Sequence, residues 1–529
     1  MDPHPLFPAL NAARGEALRF GDRSLTYPEL AAVAGSLALR LRDESRVAVW
    51  ATPSLETAVG VVAALLAGVP AVPLNPKSGD SELTHILRDS RPSLVLAEPG
   101  VSLPPALADV DRHDVDVRQD GAAHPAGAPS ERRAGAPSER PADAAVERLA
   151  GTAAGHPAGA PSERPAGAPA EPDPESPALI VYTSGTTGPP KGAVLPRRAI
   201  ATTLDALADA WQWTGDDVLV HGLPLFHVHG LILGTLGPLR RGGSVRHLGR
   251  FGTEGVTREL GSGATMLFGV PTMYHRIAEA LPDDPELAKA LAGARLLVSG
   301  SAALPVHDHE RIAAATGRRV IERYGMTETL MNTSVRADGE PRAGAVGVPL
   351  PGVELRLVDE AGEEIATYGP EAVGEIQVRG PNLFTEYLNR PDATAAAFAP
   401  GGWFRTGDMA VRDADGYVRI VGRKATDLIK SGGYKIGAGE IENALLEHAG
   451  VREAAVTGEP DPDLGERIVA WVVPADPEAP PTAGELADHV ASSLAPHKRP
   501  RVVRYLEALP RNDMGKIMKR ALESSRSGD

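Results

Sequence analysis

The chain has 529 residues, enough for more than one domain and for a large buried core. Its 42% hydrophobic and 23% charged residues are those of an ordinary globular protein, and a formal net charge of −15 argues against a nucleic-acid surface, which needs clustered Lys and Arg. There is no cysteine, so disulfides, thiolate metal sites and a cysteine nucleophile are excluded, and any thiol in the reaction must come from outside.

The first ten residues lack the basic start and apolar run of an export signal. Residues 28–41 read as a helix and 46–50 as a strand. Residues 59–74 read as a buried helix running into a strand, and 93–97 as a further strand. The 59–74 stretch is the most apolar, but Gly60, Gly68, Pro70 and Pro73 interrupt it too often for a membrane span. Strand and helix in alternation predict an α/β architecture with a largely parallel sheet. A cytoplasmic protein with no membrane partner is the expectation.

Composition then changes. The heptapeptide Ala-Gly-Ala-Pro-Ser-Glu-Arg occurs at 126–132, 134–140 and 158–164, with a degenerate copy at 166–171. Residues 121–177 contain almost no Val, Ile, Phe or Tyr. Such a segment cannot bury enough apolar area to offset its chain entropy, so it reads as a low-complexity, disordered insertion dispensable for catalysis. Order resumes at Ala178 and persists to about Pro510. A strand at 417–421, a helix at 439–448 and a strand at 467–473 predict a small second unit. The expected division is 1–422, carrying the 121–177 insertion, and 423–529.

The chemistry begins at 178–182, a short apolar strand. It runs into Thr183, Ser184, Gly185, Thr186, Thr187, Gly188, Pro189, Pro190, Lys191 and Gly192. Glycines let a backbone approach an anion and turn its N–H groups toward it; the hydroxyls add donors and Lys191 adds charge. That is a polyphosphate site. It is not a Walker A loop, because no hydroxyl follows Lys191 and 193–195 read as a strand rather than a helix.

At this point the sequence resembles the adenylate-forming superfamily of acyl-CoA synthetases, adenylation domains and luciferases. Further segments carry the resemblance in family order: 224–230 (PLFHVHG), 268–274 (FGVPTMY), 299–305 (SGSAALP), 324–329 (YGMTET), 347–352 (GVPLPG), 402–408 (GWFRTGD), 422–435 and 510–519. It spans essentially the whole chain except the insertion. The fold it implies is a large multi-subdomain N-terminal domain with layered α/β sheets and a small β-barrel, followed by a small mobile α+β C-terminal domain.

The resemblance also implies roles. ATP is attacked at its α-phosphate by a carboxylate, and two anions must be brought together. The loop Thr183–Lys191 would hold the leaving pyrophosphate. Glu328 would bind a magnesium ion, with a loop hydroxyl as its unassigned companion, and Thr327 would contact the α-phosphate. Tyr324 would stack on adenine in a pocket lined by Ser301, Ala302, Ala303, Glu322, Arg323, Gly325 and Met326. Asp408 and Arg423 would take the ribose. Lys516 would bridge the carboxylate and the α-phosphate. Lys424 would be the pivot about which the C-terminal domain turns between half-reactions, presenting Lys430 and Gly433 to coenzyme A.

The acid is narrowed by two arginines bordering the acyl pocket, Arg276 and Arg323. Arginine binds carboxylates in a bidentate fork, so two such side chains suit a second carboxylate on the substrate. The pattern is similar to that of malonyl-CoA synthetases and implies malonate or methylmalonate, with Val228 and Met326 limiting the C2 substituent and His227 lying over the pocket. Other readings stay open at this stage. One is a ligase for acetate, a medium-chain acid or an aryl acid; another is a stand-alone adenylation domain loading a carrier protein, though no Asp stands beside Phe226-His227 to pair an α-amine. A non-catalytic nucleotide-binding regulator is disfavoured by the presence of Lys516 and Glu328. No protein partner is evident, and His229 receives no role.

Overall fold

The computed structural model describes residues 5–117, 124–125, 172–183, 189–424, 427–511 and 517–524. The first helix, Tyr27–Leu41, starts at a capping box formed by Thr26 and Glu29, with Pro28 in its first turn. Its buried positions Tyr27, Leu30, Val33, Ala34, Leu37, Ala38 and Leu41 recur at helical spacing. They pack against the helix Leu55–Ala67, which is buried at every residue from Leu55 to Leu65 and stops at Gly68 in a left-handed conformation. That helix begins four residues earlier than the apolar run suggests, because Ser54 caps it and Glu56 and Thr57 are buried with it.

Among the described residues the strands form four sheets. In the seven-stranded one, Val47–Trp50, Ala71–Leu74, Leu94–Ala97, Asp111–Asp114 and Pro177–Thr183 run parallel to their neighbours, and Lys191–Pro196 turns back antiparallel. In the ten-stranded one, Glu16–Phe20, Ser244–His247, Val218–His221, Met266–Gly269, Leu296–Ser299 and Val320–Met326 are parallel, and Leu330–Ser334 returns as a hairpin. Parallel strands lay their carboxyl ends along one edge, the place where such sheets bind ligands.

Where the resemblance implies a small barrel, Glu354–Val358, Gly374–Arg379, Phe398–Ala399, Trp403–Arg412 and Val418–Arg423 form a five-stranded antiparallel sheet. The last sheet comprises Leu428–Ser431, Tyr434–Gly437, Val451–Asp461, Gly465–Pro474 and Val502–Tyr505. With helices Ala438–Leu446 and Ala483–Ser493 it closes a core of its own around Ile429, Ile441, Leu445, Val456, Val472 and Leu486.

Most of the 121–177 insertion lies outside the described residues. Two pieces within that span are ordered. His124–Pro125 pairs with Arg23–Thr26. Residues 172–177 form a turn in which the N–H groups of Arg197 and Arg198 donate to the carbonyls of Ser176 and Pro174, and Arg198 binds Glu175 at 2.7 Å. The structured chain therefore resumes before Ala178, held by polar contacts that an apolar count does not register. Among the described residues no helix is long and apolar enough to cross a membrane.

Candidate active site

The strand ends of the ten-stranded sheet converge on a polar recess. Val218–His221 leads into Leu223, Pro224, Phe226 and His227, then into a wide π-type run, His229–Leu236, a form often found at functional sites. Only glycine fits at position 230, where a Cβ would stand 2.2 Å from the Pro224 carbonyl oxygen. Leu296–Ser299 ends at Gly300, and a Cβ there would lie 2.3 Å from Cζ of Arg323, so the guanidinium rests directly on this glycine. Ser301 follows in a left-handed conformation, φ 76°, which is strained for a residue with a side chain.

Arg323 is the centre of the recess. It is 5% exposed, and neither Nε nor Nη2 has a hydrogen-bond partner. No carboxylate pairs with it among the described residues. Burial lowers its guanidinium to about 10, which leaves it charged at neutral pH. Two imidazoles stand beside it. Burial first, and the Arg323 charge second, hold His227 down to about 4 and His229 well below its ordinary value, so both are neutral. His227 Nδ1, His229 Nε2 and Ser299 Oγ are buried without partners as well. Buried polar atoms are nearly always satisfied; a group of unsatisfied ones around a buried cation is a site awaiting an anion. Val228 is buried and Met326 half-buried against the main core. Arg276 lies on the exposed side of the helix Pro271–Ala280, and no hydrogen bond or ion pair joins it to Arg323.

The residues expected to take the nucleotide form a second group. The Tyr324 hydroxyl donates to Asp408 Oδ2 at 2.6 Å, and Asp408 Oδ1 holds Arg423 Nε at 2.8 Å. Asp408 and Arg423 stand opposite each other on antiparallel strands. Burial and then the Asp408 charge raise the Tyr324 hydroxyl far above its usual range, so it stays a donor. Glu328 is buried, and its Oε1 accepts from the Tyr387 hydroxyl at 2.7 Å. Lys191 Nζ lies 4.2 Å from the centre of the Tyr387 ring. Tyr387 thus joins Lys191 to Glu328, a link no sequence motif announces. The other Glu328 oxygen has no partner among the described residues, and a free hard oxygen fits a magnesium ion. Thr183 Oγ1 contacts the Lys191 carbonyl at 3.4 Å. Ser301, Ala302 and Ala303 are exposed and Thr327 is half-buried. Ser184, Gly185, Thr186, Thr187 and Gly188 lie outside the described residues, as does Lys516.

The side chain of Glu322 is engaged within the protein. Its carboxylate accepts from the Leu304 N–H at 2.9 Å and pairs with His309 Nε2 at 3.0 Å. Successive strand residues face opposite sides, so the Glu322 side chain points away from the face that Arg323 serves and ties the 301–305 loop to the strand.

At the expected pivot, Lys424 Nζ pairs with Glu375 at 2.9 Å, and its N–H donates to the Gly407 carbonyl. Asp427 accepts from the Arg423 N–H at 3.0 Å, and Lys519 bridges Asp427 and Glu442 at 3.0 and 2.7 Å. The final helix is therefore anchored beside the pivot. Lys430 Nζ stands 3.7 Å from Glu360, both exposed. Gly433 has φ 83° and nothing within 4 Å of a Cβ position, so its surroundings are open.

The AMP-binding enzyme profile matches residues 9–388, and the profile of the AMP-binding enzyme C-terminal domain matches 440–516. A malonate–CoA ligase of Arabidopsis thaliana is 36% identical over 509 residues, covering 91% of this chain and 78% of that protein. A solved malonyl-CoA ligase ternary product complex with methylmalonyl-CoA and AMP is 73% identical; 96% of this chain and 100% of that one are covered, with a TM-score of 0.68. ATP-bound MatB from Rhodopseudomonas palustris is 33% identical, covering 99% and 98%, with a TM-score of 0.82. On this match of motifs, fold and length, the chain belongs to the AMP-binding enzyme family.

Proposed function

We propose that the chain is an ATP-dependent acid–CoA ligase that joins malonate to coenzyme A through an acyl-adenylate, with methylmalonate as a second substrate. The observation that carries the choice of acid is Arg323, a buried guanidinium with no carboxylate to meet it among the described residues. A monocarboxylic acid uses its only carboxylate on ATP and leaves that charge unmatched. A short diacid brings a second carboxylate, which a guanidinium binds through two parallel hydrogen bonds. The malonate–CoA ligase and the methylmalonyl-CoA complex among the relatives are in line with this reading.

In the first half-reaction a carboxylate oxygen attacks the α-phosphorus and pyrophosphate leaves. In the second, the thiol of coenzyme A attacks the acyl carbonyl and AMP leaves. The loop from Thr183 to Lys191 holds pyrophosphate, Thr327 the α-phosphate, and Asp408 with Arg423 the ribose beside Tyr324. Glu328 would hold magnesium, which shields phosphate charge when bound. Lys516 supplies the cation between acid and phosphate, and Lys424 is the pivot that brings Lys430 and Gly433 to coenzyme A. On this reading the chain divides into 1–422 and 423–529, and Arg276 completes the carboxylate site. Work in the cytoplasm is part of the same proposal, tested by fractionating the source cells. The deciding experiment is pyrophosphate release over a panel of acids with coenzyme A. Malonate should lead it; acetate or benzoate in the lead sinks the substrate assignment.

A further inference from the structure

A cluster of metal-type ligands stands outside the groups that serve ATP and the acid. Among the described residues, His275, His307 and Asp308 bring three ligand atoms within 4.8 Å of one another. The helices that carry them pack together: His275 lies on Pro271–Ala280, and His307 and Asp308 open Val306–Thr316. Asp308 sits in a first helical turn, where the helix dipole favours an ionised carboxylate, the form a metal binds. Its side chain has no exposed surface, while those of His275 and His307 keep 34% and 25% of theirs. The carboxylate is the floor of a shallow site, and the two imidazoles stand at its mouth.

His275 Nδ1 is 3.1 Å from Asp308 Oδ2, and His307 Nε2 is 3.2 Å from Asp308 Oδ1. Ligands around a tetrahedral zinc ion stand about 3.4 Å apart, so each imidazole is already near that spacing from the carboxylate. His275 is braced on its far side, where Nε2 stands 3.4 Å from Glu279 Oε1. With the ring proton shared with Glu279, Nδ1 turns a lone pair toward Asp308. A carboxylate behind a ligating histidine is the usual outer partner of a metal-bound imidazole. Two imidazole nitrogens and one carboxylate suit zinc and its neighbours, whereas magnesium takes oxygen ligands. The competing cation is Arg311, whose Nη1 is 3.9 Å from Asp308 Oδ1 on a side chain 42% exposed, so it can swing into solvent.

We propose that His275, His307 and Asp308 form a site for a divalent transition metal of the zinc class, with water in its fourth position. The ion staples the helix Pro271–Ala280 to the helix Val306–Thr316. It is separate from the magnesium that accompanies ATP, and no step of the ligation passes through it. Only the folded chain brings the ligands together, so the ion stabilises that state.

The untagged full-length protein is stripped of metal with a chelator and dialysed. Zinc chloride is then titrated in equilibrium dialysis, with magnesium present and nucleotide absent, and thermal unfolding is followed over the same range. The wild type should bind one zinc per chain, and Tm should rise with zinc but not with magnesium. His275→Gln and His307→Gln should each weaken zinc binding by about 100-fold or more. Both replacements lie at partly exposed positions and leave the buried Asp308 in place, and their metal-free Tm reads whether the fold is kept. Wild-type zinc affinity in either folded variant overturns the assignment. So does a wild type that binds no zinc, or one that binds it with no rise in Tm.

Discussion

Replacing Arg323 with Met keeps an unbranched, flexible stem and removes the charged guanidinium, and the structure predicts opposite effects on stability and activity. Nε and Nη2 are buried without an acceptor among the described residues. An unsatisfied buried donor costs about 1–3 kcal/mol, more when it is charged, and apolar replacements of buried ionic groups are often stabilising by about 1–4 kcal/mol. Arg323→Met should therefore raise the unfolding free energy of the ligand-free enzyme by about 2 kcal/mol. Toward malonate the same change removes two charge-assisted hydrogen bonds of about 1.5–3 kcal/mol each. At about 1.4 kcal/mol per tenfold, kcat/KM for malonate should fall by roughly 10² to 10⁴. Acetate should be nearly unaffected. Urea unfolding without ligands and pyrophosphate release with each acid read the two effects separately. Loss of stability in the free enzyme shows that Arg323 is structurally satisfied, and equal loss of both acids shows that it does not read the second carboxylate. Either result refutes the reasoning.

Four further outcomes are expected. Tyr387→Phe keeps the ring beneath Lys191 but removes the donor to Glu328; kcat/KM for ATP should fall by roughly tenfold, with a higher magnesium requirement. An unchanged magnesium titration contradicts the link. Lys516→Ala should abolish adenylate formation while leaving thioester formation from supplied adenylate largely intact, and equal loss of both steps would strip Lys516 of its bridging role. Gly433→Leu should slow thioester formation and spare adenylation, read in single-turnover assays of each step. Finally, stability should fall steeply below about pH 6.5. Burial holds His227 and His247 at about 4, and His221 and His229 well below their ordinary value. The unfolded chain therefore binds protons there that the folded chain refuses, a loss of up to about 1.4 kcal/mol per pH unit for each histidine. His275, raised first by its bond to Asp308, is protonated in both states well below that pH and adds no slope there; its contribution is lost only as pH rises through its raised folded-state value. Urea midpoints that stay flat from pH 7 to 5 would falsify the four-histidine account.

The parts of the site legible in the sequence are those whose chemistry repeats locally. A strand followed by hydroxyls, glycines and Lys191 is a contiguous signal, and so is Tyr324–Glu328. Asp408 and Arg423 are separated in sequence, yet each sits in a motif, and their 2.8 Å pairing follows from a hairpin register. Tyr387 escapes a reading of the sequence because its importance is entirely spatial: it reaches Glu328 and Lys191 from a short strand that joins the edge of another sheet. The bonds of Glu322 to the Leu304 N–H and His309 are likewise invisible in the sequence, because adjacency to Arg323 hides the reversal of side from one strand residue to the next. The beginning of the helix Leu55–Ala67 and the ordered turn at 172–177 depart from expectation for a common reason. Both are set by polar contacts, a Ser54 cap in one case and backbone donors in the other, and not by apolar periodicity.

Two kinds of cation serve the acid in this scheme, and they need different mountings. Arg323 lies on a central strand, hydrogen-bonded on both edges and seated on Gly300, so its position is fixed throughout the cycle. The cations meant to change place belong to the smaller unit. The present arrangement superposes better on the 33% identical ATP-bound structure than on the 73% identical product complex. What must break for the smaller unit to turn is small. The Lys430–Glu360 pair is 64% and 60% exposed, and a pair so exposed contributes about 0–1 kcal/mol. Lys424–Glu375, with Glu375 buried, is the stronger tie, but it sits at the pivot, where a rotation moves atoms least. Among the described residues Arg423–Asp408 and Lys424–Glu375 join the two proposed parts at the expected pivot, and the exposed Lys430–Glu360 pair lies away from it. Ties gathered near a pivot are displaced least by a rotation, which is what a ligase needs if the cation for adenylation is to withdraw before the thiol arrives.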